Sequence, residues 1–216
     1  MRPVTVTVGS LATAVANNIA LSQTPVAGSL TLNGALVVSG IAVMDTPRRV
    51  LVTTTGNESS NTFTIYGTNW SGNAISETFL GPNAGTAYSV LDYATVTKIT
   101  VSANAANALT VGTNGVASSP WVRLDEWALA QVAIQCDVTG TVNYTVQQTL
   151  DDPNSPTNPV APASMIWVNS ADANVVNATT TQISYFAYAP IWARVLLNSG
   201  TENVVARFSQ LGVAPY

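Results

Sequence analysis

QVAIQCDVTGTVNYTVQQT, residues 131–149, decides the fold class. Val132, Ile134, Cys136 and Val138 fall at alternate positions, and so do Val142, Tyr144 and Val146. A period of two marks a strand with one buried face. Thr139-Gly140 breaks the run, and Leu150-Asp151-Asp152-Pro153 ends it. Register can be argued across the break. An even loop would set the apolar face of one strand beside the polar face of the next, whereas an odd loop keeps both inward. A three-residue loop Val138-Thr139-Gly140, with Gly140 left-handed, predicts a hairpin that places Cys136 opposite Val142. Cys136 then reads as a small core residue and not as a nucleophile.

The same period recurs along the chain. RVLVTTT (49–55), NTFTIYG (61–67), AISETFL (74–80), TKITVSA (97–103) and ALTVG (108–112) form one set. SPWVRL (119–124), SMIWVNS (164–170), TQISYFAY (181–188), WARVLLN (192–198) and NVVARFS (203–209) join the opening pair in a second. SLTL-NG-ALVV predicts a hairpin at Asn33-Gly34, a strong two-residue turn signal. LATAVANNIAL (11–21) is the one stretch with helical character, and Asn17-Asn18 weakens it to a single turn. Many short strands with frequent turn signals predict an all-β protein of two antiparallel β-sandwich or jelly-roll-like domains. The turn-rich TNGVASSP (113–120) suggests the joint. The expected division is an N-terminal arm over 1–35, a first domain over 36–116 and a second over 117–216. PRRVLVTTTGNESSNTFTIYG, IWARVLLNSGTENVVARFSQLG and the opening stretch share a strand–Gly–strand plan, which duplication and hairpin grammar explain equally well.

Composition bounds the chemistry. The chain has 216 residues, 47% of them apolar and only 8% charged, against about 25% charged in an average soluble domain. Its net charge is −4 and Lys98 is its single lysine. A nucleic-acid binder needs a basic stripe, and none exists. The chain has no histidine and one cysteine, which removes Ser-His-Asp and Cys-His catalysis, cysteine zinc sites and any intrachain disulfide framework. The longest apolar run, GALVVSGIAVM, is too short and too broken to span a bilayer. The opening MRPVTVTV reads as an alternating strand and not as a secretory leader, so a soluble protein made in a reducing cytoplasm is expected. No cofactor is expected.

Carboxylates are what remains for chemistry. Asp151-Asp152 resembles half of a calcium loop, but DDPNSPTN lacks the turn glycine and the closing Glu, so a solvated loop start is expected. SPWVRLDEW sets Asp125-Glu126 beside Trp121, an aromatic–acid cluster that would suit a sugar or, more simply, a strand end beside a core tryptophan. Glu77 shares its strand face with Ile75 and Phe79, and a buried carboxylate needs a partner. Arg48 and Arg49 are the only arginines of that half, which predicts a structural Glu77–arginine pair. Val4, Val6 and Val8 alternate with Thr5 and Thr7 and are followed by no tight return. They predict an arm that adds as a strand to a neighbouring subunit.

Three stretches carry a resemblance. SSPWVRLDEWA, TGTVNYTVQQTLDDP and IWARVLLNSGTENVVARF resemble a β-rich unit of virion structural proteins of tailed bacteriophages. In that unit a W-x-x-L-D entry, an SGTV-x-YTV-x-x-T-x-DDP hairpin and an R-x-x-x-x-x-G-T return hairpin follow in that order. The likeness runs from Ser118 to Gly212, with Thr139 where the unit has Ser. DTPRRV, FTIYGT and SETFLGPNAGT look like other phage β-proteins, less specifically. The resemblance implies a virion component assembled in the host cytoplasm, and no catalytic residue. The expected role is a capsid decoration, or cement, protein. Its expected partners are the major capsid protein or other virion proteins and copies of itself, a trimer before a dimer. Neither nucleic acid nor membrane is expected as a partner. The rival readings are a tail or neck component, a carbohydrate-binding module using Trp70, Trp121 or Trp167, and a hydrolase working with acids alone.

Overall fold

The computed structural model describes residues 3–125 and 131–210. Its elements run β1 (Val4–Val8), β2 (Ala20–Gln23), β3 (Gly28–Ser29), β4 (Val37–Val38), β5 (Ile41–Asn57), β6 (Thr62–Thr68), β7 (Ala74–Leu80), β8 (Asn83–Tyr88), β9 (Tyr93–Val101) and β10 (Leu109–Ser118). They continue as β11 (Val122–Arg123), β12 (Val132–Thr139), β13 (Val142–Thr149), β14 (Val168–Asn169), β15 (Gln182–Phe186), β16 (Trp192–Gly200) and β17 (Asn203–Gln210). Two short 3-10 turns, Pro162–Ser164 and Ala173–Val175, are the helical content among the described residues. The protein is all-β, with large antiparallel sheets that do not close. The chain divides into two compact units: Ala12–Gly115, and a second made of β1 with the chain from Val116 onward.

In the unit that holds β1, one sheet has the order β1-β17-β12-β15. A second ladder joins β14, β13 and β16, with β11 and the end of β10 also on β16. Alternation along each strand sends Val132, Ile134 and Cys136 from the first sheet, and Val142, Tyr144, Val146, Val195 and Leu197 from the second, into one shared core.

The predicted β12–β13 hairpin is corrected here. β12 pairs with β15 and β17, and β13 with β14 and β16. Cys136 lies opposite Ala206 and Gln182, while Val142 lies opposite Gly200. Loop parity decides only which faces point inward. Two strands satisfy that condition equally well across a core, from two sheets, as side by side in one. Gly140 makes the crossing at φ 73°, where a Cβ would come 2.4 Å from the Glu202 side chain. The other strand–Gly–strand stretches follow suit: β16 and β17 lie in different sheets, and β9 intervenes between β5 and β6.

The N-terminal arm is also corrected. β1 pairs antiparallel with β17 of its own chain, from Val4 opposite Phe208 to Val8 opposite Val204. Val6 and Val8 are buried in the shared core and Val4 packs against it. The Leu11 N–H donates to Thr201 O at 2.7 Å. The partner that β1 needs for its backbone groups comes from the far end of the sequence, so no local turn announces it.

Residues 12–35 are not an arm. They belong to the Ala12–Gly115 unit, where Ile19, Ala20 and Leu30 are buried. β2 pairs with β10 and β3 with β9. The expected helical turn gives way to a backbone bond from Ile19 N–H to Val111 O and a side-chain bond from Asn18 Nδ2 to Thr113 Oγ1. The hairpin expected at Asn33-Gly34 sits at Ser39-Gly40 instead, with Val38 opposite Ile41 and positive φ at both turn residues (52° and 81°). Asn33 accepts the Leu21 N–H through Oδ1, and the Gly34 N–H donates to Ile19 O. That pair thus docks on the preceding segment.

β5 is the spine of this unit. Its first part pairs with β4 and β9, and from Leu51 onward with β8. β9 in turn pairs with β6, and β6 with β7. β8 was not expected, because Asn, Gly and Ala are poor strand formers and NAGTAY shows little alternation. Phe63, Ile65, Val50, Val52, Tyr93, Val96 and Ile99 fill the interior.

Candidate functional site

Asp151 and Asp152 follow the end of β13 and serve different partners. Asp151 Oδ2 accepts the Ile166 N–H at 2.6 Å. Asp152 Oδ2 pairs with Arg123 Nη2 at 3.3 Å, and its Oδ1 accepts from Trp192 Nε1 at 3.3 Å and from the Asn154 N–H at 3.0 Å. Adjacent side chains on an extended segment leave in opposite directions, which separates the two carboxylates. Both are half-buried and bonded, so the expected solvated loop start is replaced by a staple that fixes the 153–166 loop. Among the described residues no three His, Cys, Asp or Glu side chains gather around a cation position.

The tryptophans expected as a stacking platform pack on one another. Trp121 lies 5.1 Å from Trp167 and 6.2 Å, nearly edge-on, from Trp192, centroid to centroid. The Arg194 guanidinium stands 4.3 Å from the Trp167 ring and that of Arg123 5.8 Å from Trp192. Cations over ring faces and tilted ring pairs are favourable contacts in themselves, and they occupy the surfaces a sugar ring would use. Trp70 is half-buried in the turn after β6. Asp125 is exposed and its N–H donates to Gln210 Oε1, while Glu126 lies outside the described residues.

Glu77 does share a face with Ile75 and Phe79, but its partner is not an arginine. Its carboxylate accepts the Val90 N–H at 2.8 Å and the Leu91 N–H at 2.8 Å, capping the loop between β8 and β9. Arg48 is buried and bonds Asp45 Oδ1 (3.2 Å), Ala12 O (2.9 Å) and Asn114 O (2.8 Å). Arg49 faces Asp92 at 3.6 Å. The strand face of Glu77 is legible in the alternation, whereas backbone donors on a distant loop leave no signal in the sequence.

Sequence reasoning missed Glu58 in GNESSN. It is 1% exposed. Oε1 accepts the Asn107 N–H (2.7 Å) and Asn107 Nδ2 (3.0 Å), and Oε2 accepts from Asn61 Nδ2 (2.7 Å). Burial pushes its pKa up, but these donors outweigh it and hold the carboxyl below its ordinary value. The Asp172 carboxyl is likewise lowered, by the Asn174 N–H and the Ser184 hydroxyl.

The surface is where the molecule leaves groups uncommitted. β15 is an edge of its sheet, and alternation turns Ser184 and Phe186 inward and Ile183 and Tyr185 outward, 75% and 63% exposed. Ala133 lies opposite Tyr185 on β12 and is exposed beside it. The face continues through Gln135 and Thr5, with the Asp137–Arg207 ion pair between. Ile166 and Val168 are exposed near β14. An apolar strip on an unpaired strand edge is a template for contact with another chain.

These features define an all-β protein with open antiparallel sheets, whose described acids largely serve internal contacts and whose exposed apolar groups include Ile183 and Tyr185 on the edge strand β15. No family model, curated protein or solved structure matches the chain.

Proposed function

We propose that the chain is a structural subunit of a tailed-phage particle, a decoration protein of the head, built as two antiparallel sandwich modules of jelly-roll type. It works by contact, with the shell protein and with copies of itself in a trimer, and not by turnover. The observation that carries the reading is the outward row of Ile183 and Tyr185 on the open edge strand β15. A face with few charges packs against repeated copies without like-charge repulsion, and an unpaired edge adds main-chain hydrogen bonds. Many such contacts over a lattice hold through number. The resemblance of the 118–212 motifs to phage virion proteins supplies the kind of particle.

Ile183→Asp tests the contact. The side chain points away from the core, so the variant keeps its melting transition while its sedimentation shifts from oligomer to monomer and its attachment to heads falls. An unchanged oligomer and unchanged attachment overturn the role of β15. Imaging of virions that carry the chain tests the particle: copies spread over the head shell support decoration, a single ring at the neck or tail supports the rival, and absence from the particle removes the proposal.

A further inference from the structure

One cavity of the β1-containing unit is left unused by this reading. It has a volume of about 420 Å³ and lies between β13 and β15, bordered by the 170–174 segment. Its lining includes Gln148, Ser170, Asp172, Asn174, Tyr185 and Tyr188, over the core residue Phe186. Gln148 is 5% exposed. Its Nε2 donates to Tyr188 Oη, and its Oε1 has no hydrogen-bond partner. A buried carbonyl oxygen without a donor is unfavourable, and a bound donor would remove that cost. Asp172 offers further acceptor capacity. Oδ1 takes one N–H from Asn174 and Oδ2 one hydroxyl from Ser184, and an ionised carboxylate has room for more. Tyr185 and Tyr188 are partly exposed, so apolar ring surface stands beside these acceptors.

We infer that this cavity binds a neutral carbohydrate of one or two rings. A sugar is the ligand class that presents hydroxyl donors on its rim and an apolar C–H face to an aromatic ring. The acceptors Gln148 Oε1 and Asp172 take the hydroxyl protons, Ser170 and Asn174 supply reversible donors and acceptors, and a tyrosine ring takes the C–H face. Charge narrows the choice further. Asp172 is the one ionisable carboxylate of the lining and no Lys or Arg stands in it, so sugar acids, sulfated sugars and phosphates are disfavoured. The size of the cavity falls in the ordinary range for small-ligand sites. The site lies apart from the Trp121–Trp167–Trp192 cluster and does not depend on the assembly role, although Tyr185 borders both surfaces.

The test uses the full chain and ligand-observed NMR or titration calorimetry with methyl glycosides of glucose, galactose, mannose and N-acetylglucosamine, and with lactose and N-acetylneuraminic acid. The expected result is saturable binding of at least one neutral sugar and none of the acid. Tyr188→Ala, at a partly exposed position that the core does not need, should weaken that binding by about tenfold or more, and Asp172→Asn should weaken it with the melting transition retained. Saturation by none of the neutral sugars overturns the inference, leaving the cavity to water. So does binding that Tyr188→Ala leaves unchanged, which would put the sugar elsewhere. If Asp172→Asn fails to fold, Tyr188→Ala decides alone. Ile183→Asp should bind the sugar like wild type, which separates this site from the assembly contact.

Discussion

Glu58 shows what a single buried acid does in a chain with few charges. Amide donors take the place of a cation, and three bonds converge on its two oxygens. Glu58→Ala leaves the Asn107 and Asn61 donors without their acceptor, at a cost of about 1–3 kcal/mol. Chemical denaturation near neutral pH should show the loss. The sign of its pH dependence follows from the lowered pKa. Stability from this group is complete above its unfolded pKa and is lost as pH falls through the folded one. The gap between wild type and Glu58→Ala should therefore narrow in acid, and a gap that widens there would contradict the hydrogen-bond account. Cys136 is the opposite case, a group that burial silences. It is fully buried, and burial pushes its thiol up to about 12. A bulky thiol reagent at mildly alkaline pH should label it only at the rate of unfolding, and fast labelling of the native protein would show that the core opens locally.

At the scale of elements, inward faces were legible and partners were not. The alternation in AISETFL delimits β7 as Ala74–Leu80 and puts Glu77 on the side of Ile75. The alternation in 131–149 correctly turns Val132, Ile134, Cys136, Val142, Tyr144 and Val146 inward. Pairing is a different kind of information. A period of two says which side of a strand is apolar and nothing about which strand lies beside it. Sequence proximity thus suggests a β12–β13 hairpin, although the core lies between the two strands. β1 reads as an arm for another subunit because its partner β17 is far away in the chain and no local turn announces the pairing. The strands β3 and β8 carry too few residues, or too little alternation, to register, and β4, β11 and β14 are two-residue remnants of the longer stretches ALVV, SPWVRL and SMIWVNS. Asp151-Asp152 looks like a loop start in the sequence, but its bonds to Ile166 and Arg123 depend on segments that only the fold brings near. The corrected position of β1 reverses the consequence of deleting it. Removing residues 1–10 takes Val6 and Val8 out of the core and opens the edge of β17, and each fully buried valine contributes about 1.5–3 kcal/mol. The truncated chain should melt at a markedly lower temperature or fail to fold. A wild-type melting curve with weakened assembly would restore the inter-chain arm.

At the scale of the whole molecule, the division of the chain differs from the one that composition suggests. Gly115–Val116 lies within TNGVASSP, and both residues belong to the strand β10. The other end of the Ala12–Gly115 unit falls after Leu11, far from residue 35. The segment between supplies Ile19, Ala20 and Leu30 to the interior and the strands β2 and β3 to β10 and β9. The order of the chain is then an insertion: β1 begins one unit, Ala12–Gly115 forms the other, and the first is completed from Val116 onward. This arrangement predicts how fragments behave. Residues 12–115 form a continuous segment of a size that can bury its own core. Expressed alone, they should give a cooperative melting transition and a dispersed amide spectrum. Residues 36–116 lack the Ile19 and Leu30 plugs and leave Leu109, Val111 and Ile99 uncovered, so they should aggregate or melt without cooperativity. Residues 116–216 lack β1 and should regain order when a peptide of residues 1–11 is added, because the strand that completes their sheet is then supplied from outside. If 12–115 and 36–116 prove equally stable, the segment 12–35 contributes nothing to the core, and the boundary belongs where the sequence first suggested it.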